Sequence, residues 1–247
     1  METANSPLDI LPHVFRIADA IHQKSDNDLA RMDKSVTCGP GCSVCCNQLV
    51  PVSRWEALHL ASLVGSLPAS IKKRVIHRFN TGMERLSESG LLSQLTEGFE
   101  RHTCDNRAMG GLKRAYWELR IPCPFLEDNS CSIHPARPLA CRQFSVTSAP
   151  SRCAAIYTRE QNHEVVLHAA DTASAFAAFS GEGITQTHVL PHIFALRAAP
   201  SFRTSATPMP GEQMLGRFLN LLAECFVRRS HTPQPLHLPP LLPIPDK

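Results

Sequence analysis

The chain has 247 residues, 43% of them hydrophobic and 19% charged, with a formal net charge of +3. That length can bury a sizeable core, and the balance is that of an ordinary soluble globular protein. It is too weakly basic to argue for nucleic acid, and 6% aromatic residues argue against base stacking.

At the amino terminus, Met1 to Pro7 carries no basic leader followed by an apolar run. No uncharged apolar stretch approaches the length of a membrane span. Both point to a cytoplasmic protein, where clustered cysteines bind metal or do chemistry rather than form disulfides.

Ser6-Pro7-Leu8-Asp9 predicts a helix start, with Ser6 as cap and Pro7 at the first helical position. Leu11, Val14, Phe15, Ala18 and Ile21 follow helical spacing, and the helix is expected to reach about Met32.

The next stretch, Cys38 to Cys46, holds four of the ten cysteines, where the chain's own frequency would place about 0.4 in nine residues. Gly39, Pro40 and Gly41 disfavour regular structure and allow a tight loop that gathers thiols. Adjacent Cα atoms lie about 3.8 Å apart, too close for an unstrained Cys45–Cys46 disulfide. In extended backbone these two side chains would point to opposite faces.

Ser53-Arg54-Trp55-Glu56 reads as a capping box opening a second helix, with Leu60, Leu63, Val64 and Leu67 as its stripe. Pro68 ends that helix and opens a third, marked by Ile71, Val75, Phe79, Met83 and Leu86. Lys72, Lys73, Arg74 and Arg78 form a solvated basic face. Leu91, Leu92, Leu95 and Phe99 continue as a shorter helix. From Arg101 to Arg120 the pattern is weak, and Cys104 there reads as a small buried hydrophobe.

A second cysteine group follows. Pro122 and Pro124 hold extended backbone around Cys123, and Asp128-Asn129 suggests a turn that brings Cys123 and Cys131 together. Cys141 then sits on a turn or short helix. Beyond Pro150, helices are expected over 154–160, 171–179 and 189–198. Another carries Met214, Leu215, Phe218, Leu219, Leu222 and Phe226, with Cys225 on its stripe as core. His163, His168, His188 and His192 read as satisfied or exposed side chains. From Thr232 the chain is proline-rich, extended, and a surface for packing or for a protein partner.

The expected architecture is mainly α: a helical domain organised around an irregular cysteine-rich metal-binding core. Residues 1–150 would form the cysteine-cluster domain and 151–231 a helical extension packed on it, itself a candidate partner surface. Residues 232–247 would form the tail.

Thiolates bind zinc tetrahedrally and also hold iron–sulfur clusters. The candidate ligands are Cys38, Cys42, Cys45, Cys46, Cys123, Cys131 and Cys141. One four-ligand site leaves three over, whereas two sites or a polynuclear cluster use more. Arg137 and Arg142 are candidates to offset thiolate charge and donate hydrogen bonds to sulfur, or else to form surface salt bridges. A structural zinc site supplies roughly 10–16 kcal/mol of apparent binding energy, comparable to the roughly 5–15 kcal/mol stability of a whole domain.

Cys38-x3-Cys42-x2-Cys45 has the spacing of radical S-adenosylmethionine enzymes. Val44 stands where those have an aromatic residue, and the helical pattern offers no βα repeats for a barrel.

Taken together, Cys38 to Cys46, Cys123-Pro124-Phe125-Leu126, Cys131-Ser132-Ile133 and Arg137-Pro138-Leu139-Ala140-Cys141-Arg142 resemble the YkgJ-type cysteine-cluster family. The order of these motifs matches that family's CxxCxxCC, CPFL, C-x-I and RP-x-x-C-R marks. Here three residues separate Cys38 from Cys42, and His134 stands where tyrosine is common. The resemblance covers Cys38 to about Phe144. It implies zinc or iron as cofactor, the iron as an ion or an iron–sulfur cluster, and a related domain occurs in flagellin lysine methylases.

Two functions stay open. One is a non-catalytic metal-binding protein. The other is an iron–sulfur enzyme, such as a protein-modifying methyltransferase or a redox protein. No GxGxxG nucleotide fingerprint is present, which favours the first.

Overall fold

The computed structural model describes residues 4–100, 106–157, 163–203 and 209–226. Cys104, the proline-rich tail and part of the 154–160 stretch lie outside those residues. The chain is mainly helical, with nine α-helices among the described residues and only two-stranded sheets.

Strand β1 (Ala4–Asn5) leads into helix α1 (Pro7–Ala30). Ser6 caps α1 from the extended region, and the Asp9 carboxylate accepts from the Ser6 N–H at 2.7 Å, completing the box. After the cysteine loop come β2 (Pro51–Ser53), α2 (Arg54–Ser66), α3 (Ala69–Glu88) and α4 (Leu91–Glu100). Pro68 stands at the cap of α3, as its fixed φ predicts.

The weakly patterned stretch forms a full helix, α5 (Asn106–Glu118). Gly110, Gly111 and three basic residues dilute its stripe, but Tyr116 and Trp117 at its end are 0% and 4% exposed. Burying two large aromatics outweighs the glycines' roughly 1 kcal/mol propensity cost apiece.

The hairpin expected after it pairs β3 (Leu126–Glu127) with β4 (Ser130–Cys131). Asp128 and Asn129 both take positive φ, 47° and 58°, the pattern of a type I′ turn. Helix α6 (Leu139–Gln143) carries Cys141.

Past residue 150 the order departs from expectation. Over the described part of the stretch expected as helix 154–160, a 3-10 turn spanning Pro150–Ala155 stands instead. Helix α7 (Thr172–Ser180) is capped by Asp171, whose carboxylate accepts from Ser174 N at 2.9 Å. The stretch expected as helix 189–198 divides into β5 (Val189–Pro191), a 3-10 turn and α8 (Ala195–Phe202). β5 is recruited by β2, with Val52 opposite Leu190, and Pro191 disfavours helix for the residue before it. β6 (Met209–Pro210) pairs with β1, and α9 (Gly211–Glu224) follows.

Two buried clusters hold these elements together. One gathers Leu60, Phe79, Leu86, Leu95, Tyr116, Ile121 and Phe125 with Leu190 and Ile193. The other packs Leu11, Val14 and Phe15 of α1 against Trp55, Leu139, Phe176, Phe218 and Leu222. Each therefore draws on both sides of residue 150. The packing is aliphatic and aromatic, and Cys123 and Cys131 sit at the margin of the first cluster. Among the described residues no helix is long and apolar enough to cross a membrane.

Candidate metal centre

The first cysteine segment is a turn followed by a short helix. Cys42 N donates to Gly39 O at 3.0 Å, and Gly41 takes φ 85°, a conformation that suits glycine. Val44–Asn47 then forms a 3-10 turn, closed by Cys46 N to Ser43 O and Gln48 N to Cys45 O, both at 3.0 Å. Cys45 and Cys46 are thus helical rather than extended, and their thiols hydrogen-bond to each other instead of facing apart.

Three polar ties bring the distant segments to this loop. Cys123 N donates to Cys46 O at 2.7 Å. Ser43 Oγ donates to Asn129 Oδ1 at 3.1 Å, joining the loop to the hairpin turn. Thr37, beside Cys38, donates its N–H to Val146 O at 3.0 Å and its hydroxyl to Ser148 O. The ties hold the first loop against the hairpin and against the segment that follows α6.

Each candidate cysteine is half-buried as a whole residue, and all nine described cysteines are free of disulfides. Cys45 ionises most readily of the shifted cysteines. Its charge acts on Cys38, Cys46, Cys123, Cys131, Cys141 and Cys153. Its own pKa is lowered, first by a hydrogen bond from Cys46, whose pKa rises in return. Cys38 is raised by burial and lies within hydrogen-bond reach of Cys42.

Backbone N–H groups point at sulfur in the second segment. Phe125 N–H serves Cys123 and Ile133 N–H serves Cys131, each two residues on, which is the structural content of the CPF and C-x-I motifs. Such bonds favour thiolate, but burial dominates and pushes Cys123 up to about 12. Cys141 is raised well above its ordinary value by burial and by neighbouring thiols.

The two arginines divide their roles. The Arg137 guanidinium lowers Cys45, Cys131 and Cys141 by its charge, and its Nη1 donates to His134 Nε2 at 2.6 Å. Arg142 is directed elsewhere. It is 5% exposed, pairs with Asp19 at 2.8 Å, donates to Arg137 O and Pro135 O, and lies 4.1 Å over the Phe15 ring. Neither expected role, sulfur donor or surface bridge, describes it: it staples α6 to α1.

Sequence reading passed over Cys153. It stands on the 3-10 turn Pro150–Ala155, 3% exposed, and feels Cys38, Cys42 and Cys45 while burial raises it to about 11. Its spacing from Cys141 matches no short ligand motif, so only the fold reveals it. The Tyr116 hydroxyl, near Cys123, is buried with no hydrogen-bond partner among the described residues.

The donor chemistry of eight thiols suits a thiophilic metal, and pairs of them already touch. Among the described residues, however, no three cysteine, histidine or carboxylate side chains are close enough together to hold an ion. No known protein family, no curated protein and no solved structure matches the chain.

Proposed function

We propose that this chain is a cysteine-cluster protein of the YkgJ type that binds zinc or iron through thiolates, in the reducing cytoplasm. The observation that carries this reading is that the two cysteine segments are tied side by side, by Cys123 N to Cys46 O at 2.7 Å and Ser43 Oγ to Asn129 Oδ1 at 3.1 Å. The ligand set is drawn from Cys38, Cys42, Cys45, Cys46, Cys123, Cys131 and Cys141, with Cys153 added. The N–H donors on Cys123 and Cys131 and the charge of Arg137 favour thiolate and stabilise an anionic cluster. Binding closes the touching pairs onto a common centre and orders the cysteine segments around it.

Anaerobic purification with metal analysis and an absorption spectrum tests the reading. Stoichiometric zinc in a colourless protein supports a structural site. Iron and sulfide with broad visible absorbance instead favour the iron–sulfur enzyme. A folded protein that retains no zinc or iron, and takes up neither, would sink both. Cys42→Ser is expected to lose bound metal and solubility together, and unchanged metal content removes Cys42 from the ligand set.

A further inference from the structure

Glu56 is 3% exposed, and its carboxylate does two jobs at once. Oε2 accepts from Ser53 N at 2.9 Å and from Ser53 Oγ at 2.8 Å, which caps α2. Oε1 accepts from Leu139 N at 2.8 Å, the first residue of α6. A capping box alone accounts only for the first job. The second spans 83 positions of sequence and reaches a helix whose N-cap, Pro138, offers no side-chain acceptor.

Both ends of this bridge lead to thiols. α2 follows directly from β2 and the Cys45–Cys46 turn, and β2 is held in register by β5. Leu139 stands two residues before Cys141 in a five-residue helix, too short to shift one residue without the other. Arg142 fastens the same helix to α1, through Asp19.

The geometry points to Glu56 as a positioning residue for the cysteine cluster: its carboxylate bridge between the starts of α2 and α6 sets the spacing of Cys141 from Cys45 and Cys46. The purpose of that spacing rests on the metal-binding reading; the bridge does not. No shorter or neutral residue satisfies all three donors. Aspartate cannot span both helix starts, and glutamine must turn its amide against Ser53 N–H or Leu139 N–H.

Iodoacetamide labelling of the metal-free full-length chain, mapped by mass spectrometry, reads the spacing without needing metal. Cys225, at the end of α9, is the internal reference because general loosening would accelerate it too. In Glu56→Ala, labelling of Cys141 relative to Cys225 is expected to rise at least tenfold. Glu56→Gln, which keeps volume and one acceptor, should lie between this variant and the parent, and it carries the test if the alanine variant fails to fold. Ser53→Ala leaves both backbone donors on the carboxylate and should stay within twofold of the parent. An unchanged Cys141-to-Cys225 ratio in the folded glutamine and alanine variants overturns the proposal.

Zinc affinity, measured by chelator competition, should fall tenfold or more in Glu56→Gln, the loss usual for a residue that orients a ligand. Labelling that changes in a chain whose parent binds neither zinc nor iron would leave the bridge standing and remove the metal reading.

Discussion

His192 shows how a single side chain can tie stability to pH. It is 3% exposed, and neither ring nitrogen has a partner among the described residues. Its backbone N–H is satisfied by Val50 O at 2.8 Å, so the strain falls on the imidazole alone. Burial pushes its pKa down to about 4. An unfolded histidine titrates near 6.5, so the folded state binds fewer protons in between. The stability of the neutral form is therefore intact above about pH 6.5 and lost as pH falls towards 4. At pH 5 this amounts to about 2 kcal/mol for His192. Denaturant unfolding at pH 7.5 and pH 5 should show His192→Leu closing the gap between the two by about that amount. An identical gap in the variant would place the acid sensitivity elsewhere. His22 adds to it in the parent: burial first, then the His168 ring 4.2 Å away, holds it near 4, against the opposing pull of Asp19. Arg142 and Cys153 make a different point at this scale. Nothing in their sequence neighbourhood marks one as a buried staple or the other as a thiol beside the cluster, because both roles depend on α1 and on the first cysteine loop.

Helix α3 meets the turn before α8 at Gly82, and the fit there is tight. A Cβ on Gly82 would stand 2.8 Å from Ile193 Cδ1 and 3.3 Å from Ile121 Cγ2. Alanine gains about 1 kcal/mol of helix propensity over glycine, while overpacking a filled site costs about 1–3 kcal/mol. Gly82→Ala is therefore expected to destabilise by about 1 kcal/mol net. Ile193→Val removes the crowding methyl, so the double variant should lose less than the two single losses combined. Strict additivity in a denaturation cycle would mean that the helix and the turn do not press on each other. Element boundaries followed local chemistry wherever a cap or turn residue was present. The Ser6 and Ser53 boxes and the Asp128-Asn129 turn all form as their residue types require. α5 and β5 were illegible for the opposite reason. Aromatic burial stabilises the first and pairing with β2 the second, and neither partner lies nearby in sequence.

For the molecule as a whole, metal binding should act locally on a fold whose two hydrophobic clusters are already complete. Hydrogen exchange with and without zinc is expected to show at least tenfold slower exchange over 38–48, 121–132 and 141–153. Amides in α3 and α9 should be unaffected. Uniform protection would instead mean that zinc stabilises the chain globally, and chelator should reverse either pattern. Much of the candidate site was visible in order and composition, since seven thiols in two groups announce a shared chemistry. Their arrangement was not. The sequence by itself determined that the chain is mainly helical and where the capped helices α1 and α2 start, because these follow from side-chain period and capping chemistry over a few positions. Only the tertiary structure decided that Cys153 feels the charge of the first cysteine loop, and that Arg142 turns to Asp19 while Arg137 acts on the thiols. It also assigned Glu56 its second helix. Those outcomes depend on hydrogen bonds and burial between segments about a hundred residues apart, which no local pattern encodes.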